Sequence, residues 1–152
     1  SFDDSAQLNY FVGRSFYETT MKYKNPFVSK DVIGFDLFIN WSEPIILCEG
    51  VFDAIAIKRN AIPLFGKTIP KKLERRIIEK NVQDIYIALD TDAIKDSLKM
   101  CEKFMNQGRN VYMVDLPNEA DPSNLGFKKI HNILDTTNLL NFSSLIKYKL
   151  LG

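Results

Sequence analysis

Three apolar runs in this chain lead into acids that stand where chemistry could occur. The segment "IILCEGVFDA" at 45–54 is an apolar run that stops at Glu49 and Gly50, with Asp53 three residues on. A second run, "DIYIALDTD" at 84–92, ends in Asp90 and Asp92, and a third, "NVYMVDL", ends in Asp115, with Asp121 in the loop beyond it. Carboxylates brought within about 4–6 Å of one another repel, and at least one then has its pKa raised unless a cation neutralises the group. An all-oxygen donor set without His or Cys suits Mg²⁺ or Mn²⁺, the ions of phosphoryl and nucleotidyl transfer. The spacing leaves a plainer reading open for each acid. Asp92 can cap a helix starting near Ala93, and Asp53 falls in a first helical turn, where negative charge is favoured. Glu49 is harder to explain so, because Glu is not a preferred cap.

The elements around these acids follow from hydrophobic period. "PIILC" is a short continuous apolar run, as expected of a strand buried on both faces. "VFDAIAIKRN" has helical spacing, "AIPLFG" is a second strand, and "IPKKLERRIIEKN" is an amphipathic helix with Leu73, Ile77 and Ile78 facing in. "DIYIALD" is a third strand. "DAIKDSLKMCEKFMNQG" is a helix with Leu98, Cys101 and Met105 inward and Gly108 as its stop, and "RNVYMVDL" is a fourth strand. Residues 121–150 read as two helical pieces. Strands alternating with helices predict an α/β fold: a parallel sheet of about four strands flanked by helices. Right-handed crossovers place all strand C-termini on one edge, where open α/β sheets bind ligands. Glu49, Asp90, Asp92 and one of Asp115 or Asp121 are therefore expected to converge.

Residues 1–43 have no such period. "YFVGRSF" and "DVIGFDLFI" read as short strands or strand–turn pieces, and "KYKNPFVSK" as a loop. This part is expected to form a small N-terminal α+β subdomain at 1–43, followed by the sheet domain at 44–127 and a C-terminal helical extension at 128–152. Most of the aromatics Tyr10, Phe11, Phe16, Tyr17 and Tyr23 are expected in the core of that subdomain. It carries four basic and six acidic residues.

Composition bounds the function. The chain has 152 residues, 45% hydrophobic and 26% charged, with a net charge of +1. That is enough for a globular core and does not by itself point to a polyanion. Residues 58–80 hold eight Lys or Arg against Glu74 and Glu79, either a solvated helix face or a phosphate-facing rim. Cys48 and Cys101 are far apart and His131 is the only histidine, which argues against a zinc module, a His-based metal cluster and a Ser-His-Asp triad. "GKT" at 66–68 matches the end of a phosphate-binding loop, but Ala61 stands where that pattern needs glycine. No apolar run approaches a membrane span, and the cysteine usage fits a reducing, cytoplasmic setting. A chain beginning at Ser1 is expected to be a piece of a longer protein.

"EGVFDA" followed about forty residues later by "DTD" resembles the Toprim fold of primases, type IA and type II topoisomerases and small nucleases. Within it, "VGR…KYKNP" at 12–26 resembles the "GR…KYLNSP" element of bacterial-type DNA primases, especially phage versions. "LPNEADPSNLGF" at 116–127 resembles their "LP…DPD" loop. The resemblance spans about residues 12–127. It departs in two places: Ala93-Ile94-Lys95 follow the second motif where glycine is usual, and Pro122-Ser123 follow Asp121 where a second acid is common.

The resemblance implies RNA primer synthesis on a single-stranded DNA template from ribonucleoside triphosphates. Glu49, Asp90 and Asp92 would be the catalytic acids, and with Asp121 they would hold Mg²⁺ or Mn²⁺. Arg14, Lys22, Lys24 and Asp53 would contact nucleotide or template. A replicative helicase would be reached through regions outside this chain, in the host cytoplasm if phage-encoded. Two alternatives stand beside it: a Toprim nuclease or topoisomerase fragment, and a non-catalytic module that binds nucleic acid or a replication partner.

Overall fold

The computed structural model describes residues 1–18, 20, 23–117 and 120–151. Four strands form one parallel sheet: β3 (Ile45–Cys48), β4 (Ala61–Pro63), β5 (Asp84–Ala88) and β6 (Asn110–Met113), after a small hairpin of β1 (Gly13–Arg14) and β2 (Tyr23–Lys24). The sheet order is β4-β3-β5-β6. Helices α1 (Val51–Ile57), α2 (Lys71–Glu79), α3 (Ile94–Asn106), α4 (Pro122–Thr136) and α5 (Phe142–Leu151) cover it. The expected parallel sheet flanked by helices is the one observed.

Strand β3 shows why its sequence is apolar without alternation. Ile45 and Leu47 enter one core with Leu73 and Ile77 of α2, Leu98, Cys101 and Phe104 of α3, and Leu145 of α5. Ile46 and Cys48 enter a second core with Ala54 and Ile57 of α1 and Ile130 and Leu134 of α4. Each fully buried Ile or Leu contributes about 1.5–3 kcal/mol, and a strand between two cores has no polar side to offer. Cys48 is thus a small core residue, as its neighbours suggested. β4 lies at the sheet edge, which is where a strand tolerates Pro63.

Three local expectations are corrected or narrowed. Ile78 of α2 is exposed, because only the Leu73/Ile77 stripe, four residues apart, meets the sheet and Ile78 turns about 100° away. Of the strand and strand–turn readings of "DVIGFDLFI", the turn is the one observed. Phe35 takes a left-handed φ of 57° and a single 3₁₀ turn follows at Asp36–Phe38. Gly34 lies against β4 so closely that a Cβ there would sit 2.4 Å from the Pro63 carbonyl oxygen. Close approach, and not strand pairing, is what that glycine serves. Finally, Tyr23–Lys24, read as loop, pairs antiparallel with Gly13–Arg14.

The N-terminal aromatics also depart from expectation. Tyr10 is buried, its ring 4.4 Å from that of Phe65, but Phe11, Phe16 and Tyr17 are exposed; the Tyr23 side chain lies outside the described residues. The N-terminal segment's buried Ile33 belongs to the same core as α2 and α3, with Ile39 and Trp41 packed against it.

Candidate active site

The sheet order changes direction between β3 and β5. From β3 the chain passes through α1 to β4 on one side, and from β5 through α3 to β6 on the other. The two helices leave in opposite directions, so a crevice opens at the C-terminal ends of these neighbouring strands. Cys48 and Ala88 are paired in register, which delivers Glu49 and Asp90 to the same crevice. The Asp90 backbone N–H donates to Glu49 Oε1 at 3.3 Å. One oxygen each from Glu49, Asp90 and Asp92 lies within 4.8 Å of the others. Asp92 does not cap α3; it sits exposed in the short 3₁₀ turn Thr91–Ala93 between β5 and that helix.

Burial and mutual repulsion leave the group short of positive charge. Asp90 is pushed up to about 7, first by burial and then by Glu49, Asp53, Asp121 and Asp92. Its Oδ1 is buried without a hydrogen-bond partner among the described residues. Burial also raises Glu49, against the pull of Lys67 and the Asp90 N–H. An orphaned carboxylate oxygen inside an all-oxygen cluster fits a hard divalent cation, which would supply the missing partner and the missing charge.

A cavity of about 540 Å³ opens onto these acids, walled by Gly50, Phe52, Asp53, Phe65, Asp121 and Ser123 and closed on the N-terminal side by Val12, Arg14 and Asn25. The Arg14 guanidinium lies 5.9 Å from the Phe52 ring centroid. Asp53 is buried and accepts hydrogen bonds from the Gly50 N–H at 2.9 Å and the Ser123 N–H at 3.2 Å, which fastens the start of α1 to the start of α4. Asp121 caps α4. Its Oδ1 accepts from the Asn124 N–H at 2.7 Å and the Ser123 hydroxyl at 2.6 Å, and its Oδ2 from Asn124 Nδ2 at 2.8 Å. It faces the cavity but stands outside the three-acid group. Asp115 does not converge at all; it accepts from the Tyr148 hydroxyl and lines a different hollow. Lys24 is exposed on β2 and does not line the cavity, and Lys22 lies outside the described residues.

Sequence reasoning places Lys67 only in the basic run at 58–80, as solvated face or phosphate-facing rim, and does not link it to the acids beside which the fold sets it. Lys67 Nζ donates to Asp92 Oδ2 at 2.7 Å. A signal for it exists: Lys67 lies in the loop after β4, and the edge rule that gathers the acids places that loop beside them. The "GKT" spelling points to a phosphate loop instead.

A DNA primase of Staphylococcus epidermidis is 30% identical to this chain over 126 residues, covering 74% of this chain and 21% of that protein. The Aquifex aeolicus primase, solved with its zinc-binding and RNA polymerase domains, superposes with a TM-score of 0.75 at 24% identity, over 96% of this chain and 41% of that one. A DnaG primase catalytic domain bound to single-stranded DNA gives a TM-score of 0.74 at 18% identity, over 97% and 54%. The fold is that of a primase catalytic core. No protein-family model matches the chain. The chain spans about a fifth of the curated relative's length and about half or less of these solved chains. Among the described residues no helix is long and apolar enough to cross a membrane.

Proposed function

We propose that this chain is the Toprim-type RNA-polymerase core of a DNA primase, joining ribonucleotides on a single-stranded DNA template. The observation that carries the reading is the cluster of Glu49, Asp90 and Asp92 at the sheet's switch point, with one Asp90 oxygen buried and unpaired among the described residues. The relatives' fold and names support it.

Asp90 and Asp92 would hold Mg²⁺ or Mn²⁺, with Glu49 beside them and Asp121 on the cavity wall. When bound, the ion supplies Lewis acidity toward a phosphoryl oxygen and a positive charge at the reacting centre. Glu49, whose proton affinity burial raises, is suited to accept the primer 3′-hydroxyl proton as that oxygen attacks the α-phosphorus and pyrophosphate leaves. Asp53 acts by position, holding Gly50 and the α4 cap in place. Arg14, at the cavity mouth, and Lys22 and Lys24, on the neighbouring segment, would meet nucleotide or template phosphates. The exposed rings of Phe11, Phe16, Tyr17 and Phe27 on the same N-terminal segment suit stacking of unpaired bases. That matches in kind a relative of this fold bound to single-stranded DNA. A zinc-bearing template module and a helicase contact would lie in parts of the protein outside this chain, which would work in the cytoplasm.

The test is template-dependent ribonucleotide incorporation with Mn²⁺ by the full-length protein. Asp90→Asn is expected to lower it at least about a hundredfold, the scale of losing one preorganised electrostatic group. Incorporation that survives in both Asp90→Asn and Glu49→Gln overturns the polymerase reading. Strand cleavage without nucleotides would turn it toward a Toprim nuclease. One observation favours a non-catalytic module: both oxygens of Asp121 are taken up in capping α4. Unchanged DNA binding by the two variants, with no turnover by the parent protein, would select that module.

A further inference from the structure

The loop between β4 and α2 is laced to the end of β3. The Leu64 N–H donates to the Cys48 carbonyl at 2.9 Å and the Gly66 N–H to the Glu49 carbonyl at 3.3 Å. Phe65 and Gly66 take successive positive φ values of 56° and 155°, turning the chain sharply before Lys67. Lys30 Nζ donates to the Phe65 carbonyl at 3.0 Å. The turn is thus fixed to the same backbone that carries Glu49, and it delivers one ammonium to the acid cluster, 2.7 Å from Asp92 Oδ2. Asp92, Glu49 and Asp90 all act on that ammonium. The Lys67 side chain is 38% exposed and enters neither core.

A hydrated point charge on a flexible stem can exchange partners at little cost. With all three carboxylates ionised, one ammonium leaves the cluster two negative charges over; a divalent ion makes up that difference but competes for Asp92. Building on the primase reading, we propose that Lys67 is the resident counter-cation of the acid cluster, that a divalent ion displaces it from Asp92, and that it then binds the phosphates of the incoming ribonucleoside triphosphate. The site so keeps its charge partly compensated when empty and gains a phosphate-binding cation when loaded.

The experiment measures binding rather than turnover. Free Mn²⁺ is followed by electron paramagnetic resonance as it titrates this chain, its Lys67→Met and Lys67→Arg variants, and Asp90→Asn, without nucleotide. Removing a competing charge in contact with solvent should tighten Mn²⁺ about two- to fivefold in Lys67→Met, more at low salt than at high. Lys67→Arg should stay near the parent. With saturating Mn²⁺, a ribonucleoside triphosphate blocked at its α–β bridge should bind about tenfold more weakly to Lys67→Met, the loss of one charge-assisted contact, and Arg should restore part of it. Mn²⁺ affinity that is unchanged or weaker in Lys67→Met overturns the proposal. So does tighter Mn²⁺ with unaltered triphosphate binding. The acid-cluster reading itself fails separately, if Asp90→Asn binds Mn²⁺ as the parent does.

Discussion

Asp90 concentrates the physics of the site in one side chain. Its carboxyl titrates at about 7 in the fold and near 3.8 in the unfolded chain, so between those values the folded state holds the extra proton. Its contribution to stability is fully present below about pH 3.8 and is lost as pH rises through 7, because ionised Asp90 faces other carboxylates with one oxygen unpaired among the described residues. Glu49 and Asp53 are shifted in the same direction. In metal-free urea titrations, Asp90→Asn should match the parent near pH 4 and exceed it at pH 8 by about 1–2 kcal/mol, a figure reduced for the solvent that screens a half-buried group. A stability difference that stays constant with pH would show that Asp90 bears no such charge burden. On the proposed reading, the same residue would trade fold stability for cation affinity.

At the scale of elements, the N-terminal segment reaches the sheet through a contact that leaves no room. Gly34 is buried, and an added Cβ would lie 2.4 Å from the Pro63 carbonyl oxygen and 2.7 Å from its Cγ. Neither β4 backbone nor a proline ring can yield easily. Gly34→Ala should therefore cost about 1–3 kcal/mol in chemical denaturation, the range for overpacking a tight contact. An Ala variant of parent stability would show that the segment can lift off β4 freely. The sequence of this segment misleads for the same reason. "DVIGFDLFI" has the composition of a strand, but Gly34 serves a turn whose partner, Pro63, belongs to a distant element and leaves no mark on the local pattern.

For the whole molecule, the described residues of 1–43 pack into the core of the sheet and its helices. Ile33 shares the core of α2 and α3, buried Asp36 meets Arg76 of α2 at 3.4 Å, and the Arg76 guanidinium lies 5.7 Å from the Trp41 ring centroid. The segment and the sheet should unfold together. Trp41, the single tryptophan, sits at their junction, so its fluorescence and the far-ultraviolet circular dichroism should give coincident urea transitions. A Trp41 transition at lower urea than the helical signal would show the two parts to be independent.

The sequence alone determined the alternation of strands and helices from residue 44 onward, because burial on two faces demands continuous apolar runs and period-3.6 stripes that can be read locally. It also determined that Glu49, Asp90 and Asp92 would meet, since parallel strands must end on one edge. Tertiary structure alone decided the remainder. It turned Asp115 to Tyr148, exposed Phe11, Phe16 and Tyr17, and brought Lys67 to Asp92 across 25 residues of chain. Strand order and loop path fix those pairings, and neither leaves a periodic trace in the residues themselves.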